Sequence, residues 1–204
     1  MTCIVGLIED NTIYIGGDSA LDTTSGIIRT KNPKVYKKGE FIFGVAGYLS
    51  VINALTHVMV FPPCYEHQDP FEYIVNNFIP SYRSALHEQG LIEMENGIER
   101  NRSELLLGFR GHLFSIGTDF SVLESQDNYI AIGSGAVFAM GAFHGTKNLK
   151  LEPDYRIHRA LEAATDYDEC VLEPYEIESL EYVKSDDFID KILTSANEKI
   201  KEEE

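Results

Sequence analysis

The chain has 204 residues, enough for one domain whose core needs no disulfide or metal staple. Its 44% hydrophobic and 25% charged residues are the composition of a globular protein and exclude intrinsic disorder. Seventeen basic against thirty-three acidic residues give a formal net charge of -16, which argues against a nucleic-acid backbone or an anionic membrane as partner.

The first forty-six residues read as strands: Cys3 to Ile8, Thr12 to Gly16, a piece around Ile27 to Arg29, and Phe41 to Ala46, with turns at EDN, DTTSG and KKGE. From Leu49 the period becomes helical. After the irregular FPPCYEHQ a second helix is predicted, with Asp69 as N-cap and Pro70 in the first position. Its apolar face comprises Phe71, Ile74, Val75, Phe78, Ile79, Tyr82, Ala85 and Leu86; Pro80 is expected to kink it and Gly90 to follow it. Strands return at Ser103 to Phe109, His112 to Ile116 and Tyr129 to Ile132. Helices are expected at about Ala136 to Gly145 and Asp154 to Ala164, then strands at Glu169 to Leu172 and Glu178 to Val183. A last helix is expected from Ser185, with Phe188, Ile189, Ile192, Leu193 and Ala196 inward, and KEEE as a solvated tail. No repeat or linker divides the chain, so one domain over 1-204 is expected. The order of elements is not strict strand-helix alternation and suits stacked sheets with helices outside, an α+β arrangement.

No run approaches the about 18 apolar residues of a membrane span, and the N-terminus lacks the basic start and apolar core of a signal peptide. A cytoplasmic location is expected. Cys3, Cys64 and Cys170 are odd in number and form no CxxC spacing, which predicts reduced, mostly buried thiols. Six scattered histidines make no HExxH, and Asp166 with Asp168 is too small a cluster for a metal, so neither metal nor cofactor is expected.

Thr2 directly follows the initiator methionine. Once Met1 is trimmed, its hydroxyl stands beside a free α-amine, which titrates near pH ~8 and is a base requiring no second side chain. Asp18, at the end of the second strand, returns to the chain start if that strand pairs antiparallel with the first. A carboxylate there can hold the cation of Lys34, and an ammonium near Thr2 lowers the proton affinity of the amine and steadies developing negative charge. Gly47, between a strand and a helix in FIFGVAGYLS, can offer a bare backbone N–H as an oxyanion donor. Ser134, in AIGSGAVFAM, can relay a proton or cap the following helix. Singly, each has an ordinary explanation: a common second residue, a turn aspartate, a solvated lysine, a tight-turn glycine, a capping serine. GGDS matches no phosphate-loop or dinucleotide fingerprint.

The initial MT with its strand, GDS near 18, KV at 34 and 35, GVAG before a helix, YIAIGSGAVFA and AATDYDECV resemble the proteasome β-type subunits of the N-terminal-nucleophile hydrolase superfamily, and most the HslV-type peptidase. The resemblance spans most of the chain, with 59 to 125 matching only in pattern. It implies a four-layer α-β-β-α sandwich and a threonine peptidase without cofactor. Thr2 then matches the nucleophile and base, Asp18 and Lys34 the supporting pair, Gly47 the oxyanion-hole backbone, and Ser134 and Asp168 the groups near the terminal amine. It further implies a homo-oligomeric ring, an ATP-dependent unfoldase partner and unfolded polypeptide as substrate. Val171 stands where eukaryotic members commonly carry serine, and the stretch from Lys34 to Gly47 is slightly shorter than in bacterial relatives, which bears on the shape of the pocket. There Val45 is expected to help floor the pocket and favour a modest apolar side chain. Methionine removal alone is expected to activate the chain. The alternatives are a non-catalytic ring subunit that keeps Met1 and an amidase or acylase acting on small amides.

Overall fold

The computed structural model describes residues 2–23 and 25–182. Strand β1 (Cys3–Glu9) turns through Asp10 and Asn11, both at positive φ, into β2 (Thr12–Gly17). Two residues in the left-handed region suit a tight hairpin, and aspartate and asparagine tolerate it best after glycine. The antiparallel register opposes Ile4 to Gly17, so the residue after β2, Asp18, returns to the start of β1. A short hairpin follows, β3 (Ala20–Thr23) and β4 (Gly26–Arg29), then β5 (Val35–Lys38) and β6 (Phe41–Ala46).

Helix α1 (Leu49–Asn53) continues as a π-helical turn, Ala54–Val58, while α2 (Pro70–Tyr73) runs through a second such turn, Ile74–Phe78, into α3 (Ile79–Glu88). A second small hairpin, β7 (Glu93–Glu95) with β8 (Ile98–Arg100), precedes β9 (Glu104–Phe109), β10 (His112–Ile116), β11 (Val122–Glu124) and β12 (Tyr129–Gly133). Helices α4 (Ala136–Thr146) and α5 (Pro153–Tyr167) and strand β13 (Glu176–Glu181) complete the order. One sheet runs β12-β1-β2-β13 and the other β11-β10-β9-β6-β5, so the architecture is α+β.

Side-chain alternation along the strands explains the packing. Ile4, Ile13 and Ile15 of the first sheet meet Val35, Ile42, Leu106 and Leu113 of the second. Cys3, Val5 and Leu7 point the other way, into a cluster with Phe143 of α4 and Ile157, Ala160 and Leu161 of α5. On the second sheet Phe43, Val45, Leu105 and Leu107 pack with Val51, Leu55, Phe78 and Tyr82 from the first three helices. Strands buried on both faces read as nearly continuous apolar runs, as CIVGLI and FIFGVA do.

Asp69 caps α2 as expected, its Oδ1 accepting the Glu72 N–H at 2.9 Å. The apolar face differs: Tyr73 is fully buried, whereas Phe71 and Val75 are each 40% exposed. A π turn holds one residue more than an α turn, so everything upstream of it is rotated by about 100° relative to α3. Pro80, lacking an N–H, follows that widened turn, and the helix changes register there. Glu169 to Leu172 is a turn and irregular backbone, not a strand. Asp168 Oδ1 accepts the Cys170 N–H at 3.0 Å, and Cys170 and Val171 are buried without a ladder. The strand predicted at Glu178 to Val183 begins two residues earlier, and Val183 and the helix expected from Ser185 lie outside the described residues. No helix among the described residues is long and apolar enough to cross a membrane.

Candidate active site

Hairpin β1–β2 and the loop before β5 converge at Thr2, which is 5% exposed. The Lys34 ammonium donates to Thr2 Oγ1 at 2.8 Å and to Asp18 Oδ1 at 3.0 Å. Asp18 is held in turn: the Cys3 N–H donates to Oδ1 at 3.0 Å and the Ala20 N–H to Oδ2 at 2.8 Å. With 3% and 0% of their side chains exposed, Lys34 and Asp18 form an ion pair that water does not screen. The carboxylate sets the direction of the ammonium, and the ammonium reaches the hydroxyl.

Ser134 approaches from the turn between β12 and α4. The Thr2 N–H donates to its Oγ at 3.3 Å, and that hydroxyl donates to the Thr2 carbonyl at 3.4 Å. Gly133 makes the approach possible: its φ is +89°, and a Cβ there would collide with the Thr2 carbonyl oxygen. Asp168 ends α5; besides capping Cys170 it lies close enough for its charge to act on the Cys3 thiol.

Burial pulls Lys34 below the ordinary lysine value of 10.5, with the charge of Asp18 opposing that drift. Burial, reinforced by Asp18 and Asp168, pushes the Cys3 thiol up to about 12. Cys3 therefore stays protonated at neutral pH and is no nucleophile, although it adjoins Thr2. The arrangement can polarise the Thr2 hydroxyl and hold a negative charge on its oxygen. Among the described residues no group of three or more histidine, cysteine, aspartate or glutamate side chains could hold a metal ion.

A cavity of about 210 Å³ opens beside this cluster, lined by Thr2, Leu21, Lys34, Val45, Gly47 and Tyr48 among others. Val45 and Gly47 thus share the space in front of the Thr2 hydroxyl. Gly47 has φ +138°, which favours glycine. Leu21, Tyr48 and the buried Asn101 and Ser103 behind the Gly47 turn escaped the reading of the sequence. Leu21 sits in a four-residue strand that the DTTSG turn signal obscured, Asn101 falls in a polar stretch that looks like any loop, and Ser103 reads only as the start of a strand.

No family model matches the chain. It is 28% identical to the ATP-dependent protease subunit HslV of Caldicellulosiruptor saccharolyticus over 167 residues, 80% of this chain and 89% of that one. In fold it is similar to BPH of Thiobacillus denitrificans, solved in complex with epoxomicin, with a TM-score of 0.73 and 17% identity over 89% of this chain and 99% of that one. It is also similar to HslV from Trypanosoma brucei, with a TM-score of 0.64 and 19% identity over 88% and 99% of the two chains. The resemblance carried by the motifs therefore recurs in sequence and in fold: the chain is similar in sequence to an HslV protease subunit and in fold to HslV and BPH.

Proposed function

We propose that the chain is a threonine-type endopeptidase subunit of a self-compartmentalising protease. The observation that carries this reading is the buried Lys34 ammonium, 2.8 Å from the Thr2 hydroxyl and paired with Asp18. Similarity to a subunit named as part of an ATP-dependent protease supports the coarser statement, a proteasome-like protease subunit.

In this reading removal of Met1 frees the Thr2 amine. Thr2 Oγ1 attacks the carbonyl carbon of a peptide bond as its proton passes to the α-amine, and the charge arising on the carbonyl oxygen meets the Gly47 N–H. The amine returns that proton to the leaving nitrogen, and the C–N bond breaks. An ester on Thr2 remains, and water activated by the same amine hydrolyses it. Ser134, already hydrogen-bonded to the Thr2 nitrogen, and Asp168 hold the amine and relay protons, while Val45 floors a pocket for a modest apolar side chain. The chain forms one domain over 1-204 with the four-layer α-β-β-α arrangement. It assembles into a cytoplasmic homo-oligomeric ring that receives unfolded polypeptide from an ATP-dependent unfoldase.

N-terminal sequencing paired with fluorogenic peptide cleavage tests this. A chain starting at Thr2 is expected to cleave, and Thr2→Ala to lose cleavage. A preparation uniformly starting at Met1 and inactive points instead to a non-catalytic ring subunit, and cleavage of small amides without peptides to an amidase or acylase.

A further inference from the structure

The turn between β6 and α1 carries two consecutive backbone amides, those of Gly47 and Tyr48, beside Thr2. The mechanism above uses one of them, and the other is already committed. The Tyr48 N–H donates to Ser103 Oγ at 2.9 Å. Ser103 is 2% exposed and immediately precedes β9; its own N–H donates to Asn101 Oδ1 at 2.8 Å. Asn101, also 2% exposed, is anchored by its N–H and its Nδ2, which donate to the Thr118 carbonyl at 2.9 and 3.3 Å. Gly47 rests on the same brace: a Cβ there would lie 2.5 Å from Ser103 Oγ and 2.6 Å from the Arg102 carbonyl oxygen. Two buried polar side chains are costly unless satisfied, and here they form one chain of hydrogen bonds from the Thr118 carbonyl through Asn101 and Ser103 to the Tyr48 N–H.

We infer that Ser103, braced by Asn101, is a positioning residue for the oxyanion donor: it ties the Tyr48 N–H to the wall of the cleft and leaves the Gly47 N–H as the amide offered to the substrate carbonyl oxygen. This rests on the threonine-peptidase reading. The Gly47 carbonyl and the Tyr48 N–H turn together as one rigid plane, and φ and ψ of Gly47 together relate that plane to the preceding one, which carries the Gly47 N–H. Without Ser103 Oγ the Tyr48 N–H loses its acceptor and Gly47 its support, the turn relaxes about both φ and ψ of Gly47, and the Gly47 N–H leaves its line. Ser103 never touches substrate, so the loss falls on the transition state and not on ground-state binding. Deleting an oxyanion donor costs about 10²–10³ in kcat; misaiming it is expected to cost about 10–10².

The test compares wild type, Ser103→Ala and Ser103→Thr, each starting at Thr2. The readouts are cleavage of a fluorogenic peptide, inhibition by a peptide boronate that forms a tetrahedral adduct on Thr2, and inhibition by the matching peptide amide. Ser103→Ala is expected to lose about 10–10² in kcat, with KM and amide inhibition within about twofold and boronate affinity weakened in proportion to kcat. Ser103→Thr, which keeps the acceptor, is expected to recover most of both. Unchanged kcat in Ser103→Ala, or lost kcat with boronate affinity intact, overturns the assignment. Hydrogen exchange at the wild-type Tyr48 amide tests the bond without any variant, and an unprotected amide also overturns it. An inactive wild type with a proven Thr2 terminus places the failure in the peptidase reading and removes this role with it. An active wild type matched by Ser103→Ala places it in this inference alone.

Discussion

Asp18 does three jobs with two oxygens: it neutralises Lys34, accepts the Cys3 N–H and accepts the Ala20 N–H. Asp18→Asn keeps the shape but leaves the Lys34 ammonium buried without a counter-charge. Removing one partner of a buried pair costs about 3–5 kcal/mol, so urea unfolding of Asp18→Asn is expected to show a loss of that order, together with near-complete loss of cleavage. The pH profile follows from the same residues. Cleavage is expected to rise as the α-amine loses its proton and becomes a base, at a pH below the ordinary ~8 because the Lys34 ammonium stands beside it. It falls on the alkaline side as Lys34 loses the cation that steadies Thr2 Oγ1. Burial lowers the lysine, so that limb lies below the ordinary 10.5, and a limb at or above that value contradicts the account. At this scale Asp18 was legible from the hairpin register that returns it to Thr2, whereas Lys34 and Ser134, 32 and 132 residues from Thr2 along the chain, stood out through the motifs KV and GSG that carry the resemblance. Ser103 was not legible, since its partner is a backbone amide 55 residues away.

Elements with strong periodicity or a clear cap were readable, and those shaped by tertiary contacts were not. Asp69 with Pro70 announced α2, and the structure has that cap. Asp69→Ala is expected to cost about 1 kcal/mol in stability by thermal unfolding while leaving kcat unchanged, because the cap lies outside the residues lining the cleft. A loss of activity without loss of stability runs against this. The π turn at Ile74–Phe78 shows the limit of the helical wheel: one extra residue in a turn exchanges Phe71 for Tyr73 at the core, and no single residue type announces it. Glu169 to Leu172 looked like a strand because Cys170 and Val171 are apolar. Both are buried in a turn, and Val171 packs there with residues of α5 and β1 instead of joining a ladder. The short strands β3, β5, β7, β8 and β11, of three or four residues each, are too brief for alternation to register.

At the scale of the whole molecule, a net charge of -16 per chain opposes the proposed assembly of identical subunits. Screening that repulsion is expected to favour the ring, so light scattering after size exclusion is expected to show higher mass at 0.5 M than at 0.05 M salt, where the Debye lengths are roughly 4 and 14 Å. A monomer at every salt and protein concentration contradicts the ring. The two-sheet architecture was legible in outline from the order of elements, because each sheet buries both faces and writes that burial as apolar runs. The measurement closest to the central claim is peptide cleavage by chains whose N-terminus has been established by intact mass and sequencing. The account predicts cleavage by the chain beginning at Thr2, and none by Thr2→Ala or by a chain that retains Met1. Undiminished cleavage by either of the last two would contradict it.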